Sequence, residues 1–409
     1  MKITLFTKPI PIKLNGNNMK LKINYTTLLF FLTLFAYAQY NPLVVPANIT
    51  LPKDTIVSNR LIKSLNGFLA QKENPNKENT FVLNEDLLET SILLDEMKEI
   101  EKSTKHNDDN FYKCYLTNVV QLDGANYLIH LSYIGITENA PVLKANFEVL
   151  AKLREDKCYF LSPLKRNTSS WERKKIGDFT FHYKNTLNEK NTNDYAKNAT
   201  LFDKKLGAQN GKLEWYGCDD LPEILQIIGV KYKLDYNGRS SSTFSANENN
   251  TLLSVSGSGN TNFNSYDPHD LWHDRLHNVF STRIINKPVD EGCAYLYGGS
   301  WGITWNQILK KFKEKVSSNP KSDWLSLYEQ FYNFGESKEK HLIVGYVINA
   351  LIVEKIEKEK GFPAVMELLS CGKYEKTNEN YFVALEKLTG INKANFNESI
   401  WELINESGK

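Results

Sequence analysis

Neither sign of charge is in excess in this chain of 409 residues, which has 50 Lys and Arg against 48 Asp and Glu and a formal net charge of +2. No long basic run occurs either, so the composition gives no support to a nucleic-acid-binding protein. The sequence also lacks a P-loop, the signature of nucleotide phosphate binding.

The N-terminal segment predicts a secretory signal peptide. A basic region begins at Met19, residues 26–35 are mostly apolar, and Ala36-Tyr37-Ala38 forms a small-x-small cleavage signal. The apolar stretch is too short to span a bilayer. We therefore expect residues 1–38 to be removed, with Met19 as an alternative start. The mature protein would then be periplasmic or secreted, without a stable membrane span.

Cysteine is scarce as well. The five cysteines include no C-x-x-C pair, so a redox or zinc-finger function has little support. An exported protein can form disulfides, but the odd count leaves at least one thiol unpaired within the chain. Cys114 and Cys158 fall in strand-like segments of one region, and we expect these two to pair.

Two folded regions are expected after the signal peptide. Residues 39–165 contain an amphipathic helix pattern over 83–100 and four strand patterns, two of them joined by a turn at 123–126. This predicts a small α+β accessory domain with an antiparallel sheet. A polar, linker-like stretch at 163–175 leads into the second region, 166–409.

The second region predicts a mixed sheet followed by helices. A strand pattern over 176–183 opens it, and further strand patterns at 230–236 and 252–255 are separated by a Ser/Asn-rich loop. From Trp305 onward, apolar residues recur at helical spacing. The predicted fold class of the whole chain is therefore α+β, with a helical C-terminal half.

Three of the seven histidines lie in one short segment, each four residues after the last: His269, His273 and His277. Asp267 is a good N-cap and Pro268 suits the first helical position, so we expect a helix to begin here. Side chains four residues apart lie on one face of a helix, and two imidazoles one turn apart can bind one metal ion.

The segment from His269 to His273 resembles the H-E-x-x-H helix of zinc metallopeptidases, with Asp270 in place of the glutamate. Pro288–Tyr295, which carries Glu291, resembles the second site helix of gluzincins of the peptidase-MA-like group. The resemblance implies a zinc ion held by His269, His273 and Glu291. It also implies that Asp270 is the general base that activates water for the hydrolysis of a peptide or protein substrate.

Two registers of the motif remain open, because His273, Asp274 and His277 form a second H-D-x-x-H. In the first register Glu291 lies 18 residues after the second histidine, close to the gluzincin interval; from His277 the interval is 14. We favour His269 with His273. His273 is a ligand in both registers.

The aspartate in the motif leaves two hypotheses for function. Asp is one methylene shorter than Glu, and a carboxylate displaced by roughly 1 Å can cost about 100-fold in rate. The sequence therefore predicts either an exported zinc peptidase, with weak or altered activity, or a catalytically inactive protein that uses the peptidase fold for binding. The resemblance covers roughly residues 176–405 and leaves residues 39–165 unexplained.

Overall fold

Two folded units build this protein, and each has its own β-sheet. The first comprises the described residues up to Asn84 with Leu94–Leu161 and Lys231–Leu234, and the second Glu85–Leu93, Ser162–Val230 and the described residues from Asp235 onward. The chain passes between the two units more than once. The domain bounds expected from the sequence, 39–165 and 166–409, stay a prediction. The computed structural model describes residues 42–209, 211–315, 322–337, 340–375 and 377–407.

The predicted signal peptide lies outside the described residues, and its cleavage stays a prediction. Within the described ranges, no helix combines the length and apolar character that crossing a bilayer requires.

In the sheet of the first unit, the four strands between residues 113 and 161 pair in antiparallel fashion, and the short strand at residues 43–44 pairs in parallel at the edge. The neighbour order of this sheet is β1-β2-β3-β4-β5, with β9 also paired to β4. Alternate residues of the long third strand are buried, as in a sheet with one face on a core. The strands are β1 (Leu43–Val44), β2 (Lys113–Gln121), β3 (Asn126–Thr137), β4 (Ala140–Arg154), β5 (Lys157–Leu161) and β9 (Val230–Lys233).

Helix α1 (Thr55–Ala70) supplies apolar side chains to the core of this unit. It begins at Asp54, whose carboxylate accepts hydrogen bonds from two backbone amides of the first turn. The predicted helix over 83–100 is present as the shorter α2 (Leu87–Met97).

The expected disulfide between Cys114 and Cys158 is wrong. Cys114 lies on β2 and Cys158 on β5, and two strands separate them. Three strand spacings amount to about 14 Å, whereas a disulfide needs Cα atoms within about 7 Å. Both thiols are free and buried, and burial raises the pKa of Cys158 to about 11.

The sheet of the second unit is mixed, as predicted, with neighbour order β10-β11-β8-β7-β6. Its inner pairs, β11 with β8 and β8 with β7, are parallel, and its outer pairs are antiparallel. The strands are β6 (Glu172–Ile176), β7 (Phe179–Tyr183), β8 (Lys212–Gly217), β10 (Thr243–Glu248) and β11 (Thr251–Ser256).

Several elements of this unit differ from the predictions. The single strand expected over 176–183 is a hairpin, because Gly177 adopts φ +58° and turns the chain between β6 and β7. Residues 163–175, expected to be a linker, contain helix α3 (Leu164–Asn167) and part of β6. The Ser/Asn-rich loop contains β10, where polar side chains alternate with buried ones.

The helical C-terminal half is as predicted, with a central helix, α10, whose residues 344–353 are all buried. Such burial on every side is typical of a helix surrounded by other helices. The remaining helices of this unit are α4 (Glu189–Leu206), α5 (Leu221–Ile228), α6 (Pro268–Val279), α7 (Lys287–Gly298), α8 (Trp305–Lys315), α9 (Trp324–Glu329), α10 (Val344–Lys360), α11 (Phe362–Leu369), α12 (Glu379–Thr389) and α13 (Phe396–Glu406).

Two glycines of α7 allow close approach to its neighbours. A Cβ atom on Gly292 would lie 2.6 Å from the Cβ of Asn349 on α10. A Cβ atom on Gly298 would lie 2.6 Å from the backbone nitrogen of His269 on α6. Both separations are shorter than carbon and nitrogen atoms tolerate, so α7 packs between α6 and α10 by having no side chain at these points.

We predict that Gly292→Ala lowers the free energy of unfolding of the second unit by about 1–3 kcal/mol, the usual cost of overpacking a close contact. Equilibrium urea denaturation followed by tryptophan fluorescence measures it, because all seven tryptophans lie in this unit. Val383→Ala on α12, where the side chain is 66% exposed, is the control and should change stability little. A Gly292→Ala protein as stable as the wild type would contradict the close packing of α7 on α10.

Candidate metal site

Helix α6 positions the two histidines of the favoured register. The Asp267 side chain caps the helix by accepting a hydrogen bond from the backbone N–H of His269 at 2.9 Å, and Pro268 occupies the first turn. His269 and His273 follow one turn apart, and both side chains are partly buried. The helix start that the sequence predicts is present.

Glu291 on α7 faces this pair. The Nε2 atoms of His269 and His273 are 3.2 Å apart. The Glu291 Oε2 atom lies 3.5 Å from Nε2 of His269 and 4.0 Å from Nε2 of His273. One ligand atom from each of the three residues lies within 4.8 Å of the others, so the group could hold a metal ion.

The distance between the two Nε2 atoms fits a zinc ion with tetrahedral coordination. Zinc binds imidazole nitrogen at about 2.0–2.1 Å, so two such nitrogens at a tetrahedral angle lie about 3.3 Å apart. The observed separation of the Nε2 atoms is 3.2 Å. No rotation of either ring is needed to bring these two nitrogens to metal-binding distance, and Glu291 requires only a small shift.

Hydrogen bonds on the far side of each ring orient the histidines. The Nδ1 atom of His269 lies 2.8 Å from the carbonyl oxygen of Gly299, which can only accept. The Nδ1 atom of His273 lies 2.9 Å from both carboxylate oxygens of Asp290. Both Nδ1 atoms therefore carry the hydrogen, which leaves both Nε2 lone pairs directed at the same point.

Asp290 connects the site to the core. Its carboxylate, which is almost fully buried, also accepts a hydrogen bond from Trp272 Nε1 at 3.0 Å. Trp272 is fully buried and packs against Phe202, Tyr297 and Phe362. The orientation of His273 is therefore determined by packing in the core as well as by the helix that carries it.

The acids shift the protonation of the histidines. Burial disfavours the imidazolium of His269, but the Glu291 carboxylate and the Gly299 carbonyl outweigh it and raise the His269 pKa above its ordinary value. At His273, Asp290 likewise outweighs burial and raises the pKa. Burial raises the pKa of Glu291, but His269 and His273 more than offset this and lower it. Without a metal the group attracts a proton, so protons and a metal ion compete for the same atoms.

The other predicted site residues lie outside this group. His277, Asp270 and Asp274 are exposed on α6. The ring of His277 lies beside that of His273, with centroids 6.4 Å apart. Among the described residues, only His269, His273 and Glu291 come together as three side chains that could hold a metal ion, and the alternative set with His277 and Asp274 does not.

Three supporting groups were missed by the sequence reasoning: Asp290, Trp272 and the carbonyl of Gly299. An aspartate directly before the glutamate and a Gly-Gly pair at the end of the glutamate helix are visible in the sequence. Neither pattern says which histidine it supports, because the contact depends on how α6 and α7 pack.

A scan against protein-family models finds no match to this chain, and a search of curated proteins finds none that is similar to it. The gluzincin resemblance therefore depends on the motif residues alone.

We predict that His273→Ala reduces metal affinity severely and that His277→Ala leaves it nearly unchanged. His273 contributes one of the three assembled ligand atoms, and His277 contributes none. Zinc titration of the two purified variants in competition with a chromophoric chelator measures the difference. A severe loss in the His277→Ala protein, with His269→Ala harmless, would show that the other register binds the metal.

We also predict that Asp290→Asn weakens zinc binding by about 10- to 100-fold, the usual effect of losing a group that orients a ligand. An amide has one accepting oxygen for the two donors, His273 and Trp272, that the carboxylate now accepts from. The matched control is Asp267→Asn, the same change at the N-cap of α6, where asparagine caps as well as aspartate. Equal affinities for the two variants would exclude an orienting role for Asp290.

Proposed function

We propose that this protein is an exported zinc-dependent peptidase that hydrolyses peptide bonds with metal-activated water. The observation that supports this most is the pair of Nε2 atoms 3.2 Å apart on rings whose Nδ1 hydrogens are both already donated. Two unprotonated nitrogens this close repel each other through their lone pairs. A cation bound to both removes the repulsion, and Glu291 balances part of its charge.

We propose zinc because two imidazoles and one carboxylate form a ligand set that suits it. Three protein ligands also leave one position open, which distinguishes catalytic from structural zinc sites. When bound, zinc supplies a Lewis acid that lowers the pKa of water to about 7. An open cavity lined by Glu291 and His273 lies beside the group that would hold the metal.

Asp270 is the proposed general base. It follows His269 directly on α6, is exposed, and has no hydrogen bond or ion pair with another described residue. Its carboxylate is therefore available to accept a proton, but it is shorter than the glutamate of the H-E-x-x-H motif. A base must come within about 2.6–3.2 Å of the proton it removes, directly or through one water.

The same aspartate favours a second candidate function. A protein with this fold and this metal site, but with a base too short to reach the metal-bound water, would bind peptides without cleaving them. The periplasm or the cell exterior is the proposed location in both cases, on the basis of the signal peptide pattern.

The proposal is tested with the mature chain purified without chelators. We expect elemental analysis to find about one zinc per monomer. We also expect the protein to cleave members of a peptide pool, with the products identified by mass spectrometry. Asp270→Glu should raise the cleavage rate, by up to about 100-fold if reach is the limit. Asp274→Glu, the same change one turn further along α6, is the matched control and should have no effect.

The outcomes separate the two functions. A protein that neither contains nor takes up zinc would contradict the proposed site. Zinc binding without cleavage by the wild type or by Asp270→Glu would favour the binding function. A slower Asp270→Glu enzyme would mean that the site is built around the shorter acid.

A further inference from the structure

A cavity of about 390 Å³ opens beside the metal group in the second unit. This volume is within the range of small-ligand sites, and two of the three proposed zinc ligands form part of its wall. This position allows a substrate bound at the metal to extend into the cavity. The cavity is lined by His273, His277, Thr282, Ile285, Lys287, Asp290 and Glu291.

The two acids that line this cavity have polar partners, whereas its lysine has none among the described residues. The Asp290 carboxylate accepts from His273 and Trp272, and Glu291 faces the two site imidazoles. A divalent ion at the site balances these two negative charges. Lys287 lies near enough to Glu291 to stabilise its negative charge, but its ammonium group has no hydrogen bond or ion pair with another described residue. With metal bound, the lining keeps one uncompensated positive charge.

Two further donors line the same cavity. The imidazole of His277 and the hydroxyl of Thr282 are exposed, and neither has a hydrogen-bond partner among the described residues. Ile285 is buried and forms an apolar wall. An ammonium, an imidazole and a hydroxyl can all donate to a carboxylate, and the bond from the ammonium is the strongest because it is charge-assisted.

The aspartates of α6 offset the positive charge of Lys287 only in part. Asp270 and Asp274 are exposed on the same helix, but neither lines the cavity. Asp274 interacts electrostatically with His277, so His277 is the less independent of the two basic groups. Of the residues that line the cavity, Lys287 therefore contributes most to an attraction for negatively charged groups.

We propose that this cavity binds a carboxylate of the substrate through Lys287. The substrate class is then acidic peptides in which a residue next to the cleaved bond carries either an aspartate or glutamate side chain or the terminal carboxylate of the chain. Lys287 determines specificity and is not a catalytic residue. This proposal rests on the proposed zinc site.

The test measures binding, so it does not depend on hydrolysis. Three probes carry a hydroxamate to anchor them on zinc, linked through a succinyl group to alanine amide, to alanine with a free carboxylate, or to aspartate amide. Calorimetry with the zinc-loaded full-length mature protein gives the affinity of each. We expect one of the two acidic probes to bind about two- to fivefold more tightly than the neutral probe, as for an exposed ion pair.

Lys287→Met keeps most of the apolar part of the side chain and removes its charge. This variant should bind the acidic probes no more tightly than the neutral probe. Lys360→Met, at an exposed lysine of α10 outside the cavity lining, is the matched control and should keep the preference of the wild type. A preference for free alanine identifies the terminal carboxylate as the group bound, and a preference for aspartate amide identifies the side chain.

Equal binding of all three probes, no binding of any probe to the zinc-loaded protein, or a preference that survives Lys287→Met would overturn this proposal alone. A protein that takes up no zinc would overturn the proposed function, and this proposal with it.

Discussion

The close packing of α7 on α6 is the constraint on which the candidate site depends. It brings Glu291 to 3.5 Å from Nε2 of His269 and places the carbonyl of Gly299 where it accepts from the other side of the same ring. Both contacts require the helices to approach where Gly298 has no side chain. A larger residue there would separate the histidines from the glutamate and from the group that sets the tautomer of His269.

The side chains of the site differ in how far they are buried and hydrogen-bonded. His273 is held by Asp290, and Asp290 by Trp272, which is fully buried and packs against aromatic side chains of the core. The orientation of His273, a proposed metal ligand, therefore depends on the packed core of the second unit. The residues proposed to act on the substrate, Asp270 and Lys287, are exposed. Changes at such positions can alter rate or specificity while leaving metal binding and folding largely intact.

The fold was predictable where a pattern is long. Beyond Trp305 the sequence shows helical spacing over several turns, and the structure has helices there. Prediction failed for short elements in polar sequence, such as β10 and the β6–β7 hairpin. There the strands are stabilised by pairing with distant segments, as β8 pairs with β7 and β11, and local sequence carries little trace of such partners.

The α+β class, the N-terminus of α6 and the grouping of imidazoles on one helix face followed from the sequence, because capping, periodicity and i, i+4 spacing act within a few residues. The sequence left open which of the three histidines meet Glu291, because that depends on how two helices pack. Only the tertiary structure excluded the pairing of Cys114 with Cys158, which are set apart by the order of strands. The contribution of Asp290 was likewise decided by packing, because a buried carboxylate orients whichever donors the fold brings to it.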